Sequence, residues 1–234
     1  MNMDGKYYRK TATIVGALFI IATVTAIAAM VLLGTALEEP DYLVDLPDIE
    51  NTVVTAVMLE LVLAVSLIGI GALMFPVFKK HGEGLALGYA GIRLVEAIFI
   101  IIASVSLLVM LTMGQDYAAG NLDAAGNEAM GALLMALREW AFVIGTLVFL
   151  GLGAMTLNYL FYRSMLVPRW LSIWGLIGGV GITIYSVFAL FGTDISSFSA
   201  VSILAAPLAV QEMVFAVYLI VKGFIAPATV SGSA

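Results

Sequence analysis

Residues 85–113 read LALGYAGIRLVEAIFIIIASVSLLVMLTM, an apolar run whose only charged members are Arg93 and Glu96. A helix needs about 20 predominantly apolar residues to cross the hydrocarbon of a bilayer, and this stretch exceeds that minimum, so it must tilt or project. Working outward from it, comparable runs occur at 11–33, 53–78, 131–162, 170–191 and 200–222. The expected fold is an all-α polytopic membrane protein. A six-transmembrane-helix bundle occupies residues 1–225 as a single domain, and the small, polar segment 226–234 is a disordered tail.

Composition supports the same reading. The chain of 234 residues is 62% hydrophobic and 11% charged, with a mean hydropathy of +1.10; soluble domains carry roughly 45–50% apolar and about 25% charged residues. The apolar core of the first run is longer than the roughly 7–15 residues of a signal peptide, so it reads as a retained anchor and first span.

Orientation follows from where the charges fall. Lys6, Arg9, Lys10, Lys79, Lys80, Arg163, Arg169 and Lys222 all lie in the segments on one side of the proposed spans. The segments on the other side hold Glu38, Glu39, Asp41, Asp45, Asp48, Glu50, Asp116, Asp123, Glu128 and Asp194, without a lysine or arginine. Because cytoplasmic loops are enriched in basic residues, this predicts a multi-pass plasma-membrane protein with both termini cytoplasmic. The longest outer segment, 34–52, contains Pro40 and Pro47 and reads either as a cap over the outer mouth or as a solvated linker.

Several chemistries are excluded by what the chain lacks. Cysteine is absent and His81 is the sole histidine, which removes disulfides, thiolate chemistry, multi-histidine metal sites and histidine-based triads. No HExxH, GxSxG or phosphate-binding Gly-Lys-Ser/Thr motif occurs. No basic cluster with interleaved aromatics suggests nucleic acid as a partner. Neither a metal nor a cofactor is implied, no catalytic residue is assigned, and the chain reads more as a non-enzyme than as an enzyme.

Six ionisable residues remain inside the proposed spans: Glu60, Arg93, Glu96, Arg138, Glu139 and Glu212. A charge at the centre of a transmembrane helix costs about 2.5–3.5 kcal/mol on insertion scales, so such residues face the bundle interior, pair, or touch water. Arg93 and Glu96 are three apart and share a helix face, with Tyr89 one turn away on the same stripe. Arg138 and Glu139 are neighbours and point about 100° apart. Two guanidiniums face four carboxylates, which leaves an acidic excess for protons, a cation or a positively charged ligand to offset. Glu60, Tyr89, Arg93, Glu96, Arg138, Glu139 and Glu212 are therefore the candidate ligand-binding cluster. The favoured function is binding or translocation of a small molecule or ion. The alternatives are an accessory or sensor subunit whose ion pairs only hold helices in register, and an intramembrane enzyme acting on lipid.

Pro207, five residues before Glu212, removes a backbone hydrogen bond and frees the Ile203 carbonyl. Two weak internal matches appear: Glu96-Ala-Ile-Phe with Glu212-Met-Val-Phe, and the Gly-x-Gly-Ala strings at 69–72 and 151–154. Gly84-xxx-Gly88 and Gly175-xxx-Gly179 permit close helix approach, so the candidate partners are a second copy of the chain, in a homodimer through glycine-rich faces, the lipid bilayer, and a small molecule, ion or lipid ligand.

Arg93-Leu-Val-Glu96-Ala, Tyr162-Arg163-Ser164 with Pro168-Arg169-Trp170, and Pro207 through Glu212 to Lys222-Gly223-Phe224 together resemble the domain of unknown function 4386 family of bacterial and archaeal membrane proteins. The resemblance implies six helices and a plasma-membrane location, and it supplies no activity. The positions that match the family are Arg93, Glu96, Arg163, Pro168 and Glu212.

Overall fold

A computed structural model of the chain describes residues 3–34, 36–37, 42–191 and 198–225, with side chains from residue 6 onward in the first segment and from 206 onward in the last. The described residues are helical almost throughout and contain no strand. The helices are α1 (Met3–Leu33), α2 (Tyr42–Asp45), α3 (Glu50–Lys79), α4 (Glu83–Ala118), α5 (Ala124–Ala141), α6 (Leu150–Ser164), α7 (Arg169–Leu190) and α8 (Phe198–Val221). A 3-10 turn, Leu46–Ile49, joins α2 to α3, and a π-helical segment, Phe142–Phe149, joins α5 to α6 without a break. The lengths follow from the apolar runs, since every backbone polar group inside hydrocarbon must be satisfied within its own helix.

Five stretches among the described residues are long and apolar enough to cross a membrane: Lys6–Leu33, Tyr42–Lys79, Glu83–Ala118, Ala124–Ser164 and Arg169–Leu190. Ala206–Val221 is a shorter apolar helix within α8. Large apolar side chains stay on the outside, among them Val31, Val65, Ile177 and Phe191, which is the surface a lipid solvent requires and water penalises.

The helical rods follow one another round a ring. α1 packs on α3 and α8, α3 on α4, α4 on the α5, π and α6 rod, that rod on α7, and α7 on α8. Near the basic end the ring is filled by Phe19, Phe78, Phe161 and Phe215 with Met74, Leu160 and Leu219. Near the acidic end a second core gathers Leu43, Leu46, Val53, Leu107 and Met110. Leu43 and Leu46 belong to the outer segment, so its described part folds onto the bundle as a cap instead of running free. Glu38, Glu39, Pro40, Asp41, Asp194 and the tail 226–234 lie outside the described residues.

Helix ends are fixed by local chemistry. Asp123 caps α5, its carboxylate accepting from the Gly126 N–H at 2.6 Å. Met165 ends α6 in the left-handed conformation, φ 55°, and Pro168 then starts α7, a combination that makes a tight basic turn. Arg9 closes the C-terminus of α8: its guanidinium donates to the carbonyls of Ile220 at 2.8 Å and Val221 at 3.2 Å. A cation there meets orphan carbonyls and the negative end of the helix dipole. Gly223, φ 75°, lets the chain turn directly beneath Arg9, where a Cβ would come within 2.9 Å of the guanidinium nitrogen.

Candidate functional site

Arg93 is the largest fully buried side chain in the protein's described residues, at 1% exposure. It projects from α4 into the middle of the ring. The wall that receives it is built from small and aromatic residues on α4 itself and on three other elements. A Cβ at Gly71 of α3 would lie 3.2 Å from the Arg93 Cβ, and one at Gly153 of α6 would lie 3.8 Å from its guanidinium carbon. Phe19 of α1 and Tyr89 of α4 present their rings to the guanidinium at 5.6 and 5.5 Å, distances at which a desolvated cation is attracted to a ring face.

Three oxygens surround the same guanidinium. Arg93 Nε donates to Tyr89 Oη at 3.0 Å, and Nη1 donates to Glu96 Oε2 at 2.9 Å. Both partners come from α4, one turn on either side, so the fork is pre-formed within one helix. Nη2 points at Glu212 Oε1 of α8, 3.8 Å away. That separation holds an ion pair but is too long for a hydrogen bond, and Nη2 has no hydrogen-bond partner. Glu212 is also the more exposed carboxylate, its side chain 15% accessible against 4% for Glu96.

The second ionic group sits closer to the acidic end. Arg138 of α5 holds Glu60 of α3, Nη2 to Oε1 at 2.5 Å and Nη1 to Oε2 at 3.4 Å, while Nη1 also donates to the Ala103 carbonyl at 2.8 Å. Ser104 of α4 donates to Glu60 Oε2 at 2.6 Å. One guanidinium meets one carboxylate with extra hydrogen bonds to spare, so this pair is neutral and satisfied, and it ties three helices together.

The sequence reading gathered seven residues, and the structure sorts them into two groups and an outlier. Tyr89, Arg93, Glu96 and Glu212 converge, Glu60 and Arg138 pair apart from them, and Glu139 lies on the exposed face of α5. A single shared cluster does not form because Glu96 and Ser104, which mark the two groups on α4, are eight residues or about 12 Å apart along the axis. Between them stand Ala97 and Ile100, packed on Ala64 and Leu67. The adjacency of Arg138 and Glu139 explains the outlier, since consecutive helical residues cannot face the same interior.

Three polar residues that the sequence reading passed over are buried on α6, α7 and α8. Gln211, adjacent to Glu212, is buried; its Nε2 donates to Asn158 Oδ1 of α6 at 3.4 Å and to the Leu171 carbonyl of α7 at 3.2 Å. Asn158 donates to the Ala154 carbonyl at 2.9 Å and occupies the space left by Gly175. Ser172 is fully buried, and its hydroxyl has no partner. The signal that could have found them was amide and hydroxyl side chains inside apolar runs, which carry a desolvation cost like that of charges but smaller.

No group of three or more histidine, cysteine, aspartate or glutamate residues able to hold a metal occurs among the described residues. A shallow groove of about 290 Å³ between α1 and α3, lined by Ile21, Met58, Leu61, Val62, Val65 and Ser66, is apolar and contains none of the ionic residues. Of the two glycine pairs, Gly175 and Gly179 are consumed inside the chain by Asn158 and Met155, whereas Gly84 and Gly88 have open space before them.

No curated protein and no solved structure matches the chain. The sequence profile described as Domain of unknown function (DUF4386) matches residues 14–223, a span that includes every residue of the two ionic groups, and the chain therefore belongs to that family of uncharacterised proteins.

Proposed function

We propose that the protein is a six-span membrane protein of the plasma membrane, with both termini cytoplasmic, that binds a proton or a small cation at Arg93, Glu96 and Glu212. The observation that carries the reading is a charge count at one buried point: two carboxylates share one guanidinium. An unpaired negative charge in a low-dielectric interior costs several kcal/mol, so the excess is offset by a bound positive species. Glu212 is the natural acceptor, because Glu96 already holds the short hydrogen bond to Arg93 and Glu212 stands off at 3.8 Å on a different helix. Counting α8 as the sixth span is supported by its 24 residues, and the orientation by the segregation of lysines and arginines to one end.

The Glu60–Arg138 pair favours a second reading, an accessory subunit whose buried ions fix helix register, because that pair is balanced and needs no ligand. The two readings part on Glu212. Purified protein in detergent is heated across a range of pH and of monovalent cation concentrations, wild type beside Glu212→Gln. A ligand that binds the folded state raises its stability by mass action, so wild type should show a pH- or cation-dependent melting temperature that the variant lacks. Identical profiles for the two proteins would leave the register reading in possession.

A further inference from the structure

At the basic end of the bundle Arg163, in the last turn of α6, reaches across to the turn 80–82 between α3 and α4: a Cβ at Gly82 would lie 4.0 Å from its Nη1. His81 stands in that turn, and the Lys80 ammonium lies over the Tyr8 ring of α1 at 5.6 Å. Partial burial, and then the charges of Arg163 and Lys80, hold the His81 imidazole below its ordinary pKa, so both cations are within electrostatic reach of the ring. The acid next in the chain, Glu83, is taken by Lys79 at 3.0 Å. Among the described residues neither Arg163 nor Lys80 has a carboxylate partner. Like charges gathered without a counter-ion repel, and they leave a positive potential to be met from outside the chain.

What surrounds these cations selects the class of anion. Tyr162 and Trp170 are exposed on either side of the α6–α7 turn, and the Arg169 guanidinium lies over the Tyr162 ring at 5.4 Å. Amphipathic rings of this kind settle at the level of lipid headgroups. The first turns of α4 expose Leu85 and Leu87, and Gly84 and Gly88 have open space before them. An anion that carries acyl chains has apolar surface there to cover, from which a soluble anion gains nothing.

We infer that Arg163, Lys80 and His81 form a docking site for the headgroup phosphate of an anionic phospholipid. Arg163 offers the phosphate oxygens a planar fork of donors and Lys80 a compact charge. The site is separate from the ionic group around Arg93 and stands whether or not that group binds a proton or cation. It requires only that the basic end lies at a membrane surface.

His81 is the sole histidine of the chain, so its imidazole resonance reports on the site directly. The full chain is placed in nanodiscs of phosphatidylcholine with a rising fraction of phosphatidylglycerol, and His81 is titrated by NMR. In phosphatidylcholine alone its pKa should lie below 6.5. Phosphatidylglycerol should raise it, because a bound phosphate offsets the two cations, and the rise should saturate at a low fraction of the anionic lipid. Arg163→Gln should start from a higher pKa in phosphatidylcholine, since one lowering charge is gone, and should need about tenfold more phosphatidylglycerol to reach half-saturation. Arg163 is exposed and makes no ion pair among the described residues, so its replacement leaves packing intact; Lys80→Gln repeats the measurement on the other turn. A rise that grows in proportion to the anionic fraction without saturating, alike in wild type and both variants, overturns the site and leaves a general surface potential. Saturation by inorganic phosphate in phosphatidylcholine nanodiscs, with no further response to phosphatidylglycerol, overturns the assignment to lipid.

Discussion

Arg93 shows how one side chain organises the interior of this bundle. It has two carboxylates, a phenol and two aromatic faces as neighbours, and each contact replaces hydration that lipid cannot supply. Removing one partner of a buried ion pair leaves an uncompensated charge and typically costs about 3–5 kcal/mol. Arg93→Ala should therefore lower stability by that order in a reversible denaturation series, with Arg93→Lys intermediate because it keeps the charge and loses the fork. A loss below about 1 kcal/mol for the alanine variant would contradict the contact set. His81, in the turn between α3 and α4, makes a separate residue-scale prediction. Partial burial lowers its pKa below 6.5, and the Arg163 and Lys80 charges lower it further. The unfolded chain then binds more protons than the folded one as pH falls below 6.5, so the native state loses stability in that window and regains it above. Comparing acid melting curves of wild type and His81→Gln checks the sign: the variant should be the less sensitive.

At the scale of elements, the glycines separate into those the fold uses and those it leaves open. Gly175 of α7 gives its space to the Asn158 amide, so a Cβ there collides with a side chain that holds Gln211. Gly88 of α4 faces open space. Gly175→Ala should cost about 1–3 kcal/mol by overpacking, whereas Gly88→Ala should be neutral or gain up to about 1 kcal/mol from helix propensity. Thermal unfolding of the two variants in one detergent decides the matter, and equal effects would be incompatible with this packing. The same scale explains the internal matches. The Gly-x-Gly-Ala strings at 69–72 and 151–154 each place a glycine, Gly71 and Gly153, against Arg93. The matched Glu96 and Glu212 both turn to its guanidinium. The matched positions thus meet at one cation, a relation that short strings in apolar sequence cannot express.

For the molecule as a whole, the ring of rods brings the basic turns to one end and the acidic cap to the other, and Arg9 joins the N-terminal helix to the end of α8. The chain contains no cysteine, so single cysteines report topology without background. An impermeant maleimide applied to intact cells should label Asn121→Cys at the acidic end and leave Lys80→Cys untouched until the membrane is opened; the opposite pattern would invert the orientation.

How much of this was written in the sequence depends on whether the physics involved is local. The helices and their approximate ends were legible because hydrocarbon imposes a length and an apolar composition that any segment of 20 or so residues displays by itself. Arg93 with Glu96 and Tyr89 was legible for the same reason, since neighbours three and four apart on a helix must meet. The attachment of Glu212 to that group, the departure of Glu60 and Arg138 into their own pair, the exposure of Glu139, and the burial of Gln211, Asn158 and Ser172 were not. Those depend on how each helix is rotated and how deep it sits against its neighbours. Rotation and depth are set by packing across α3, α4, α6 and α8, in which small differences in side-chain volume at Gly71, Gly153 and Gly175 decide which polar groups come within reach of one another.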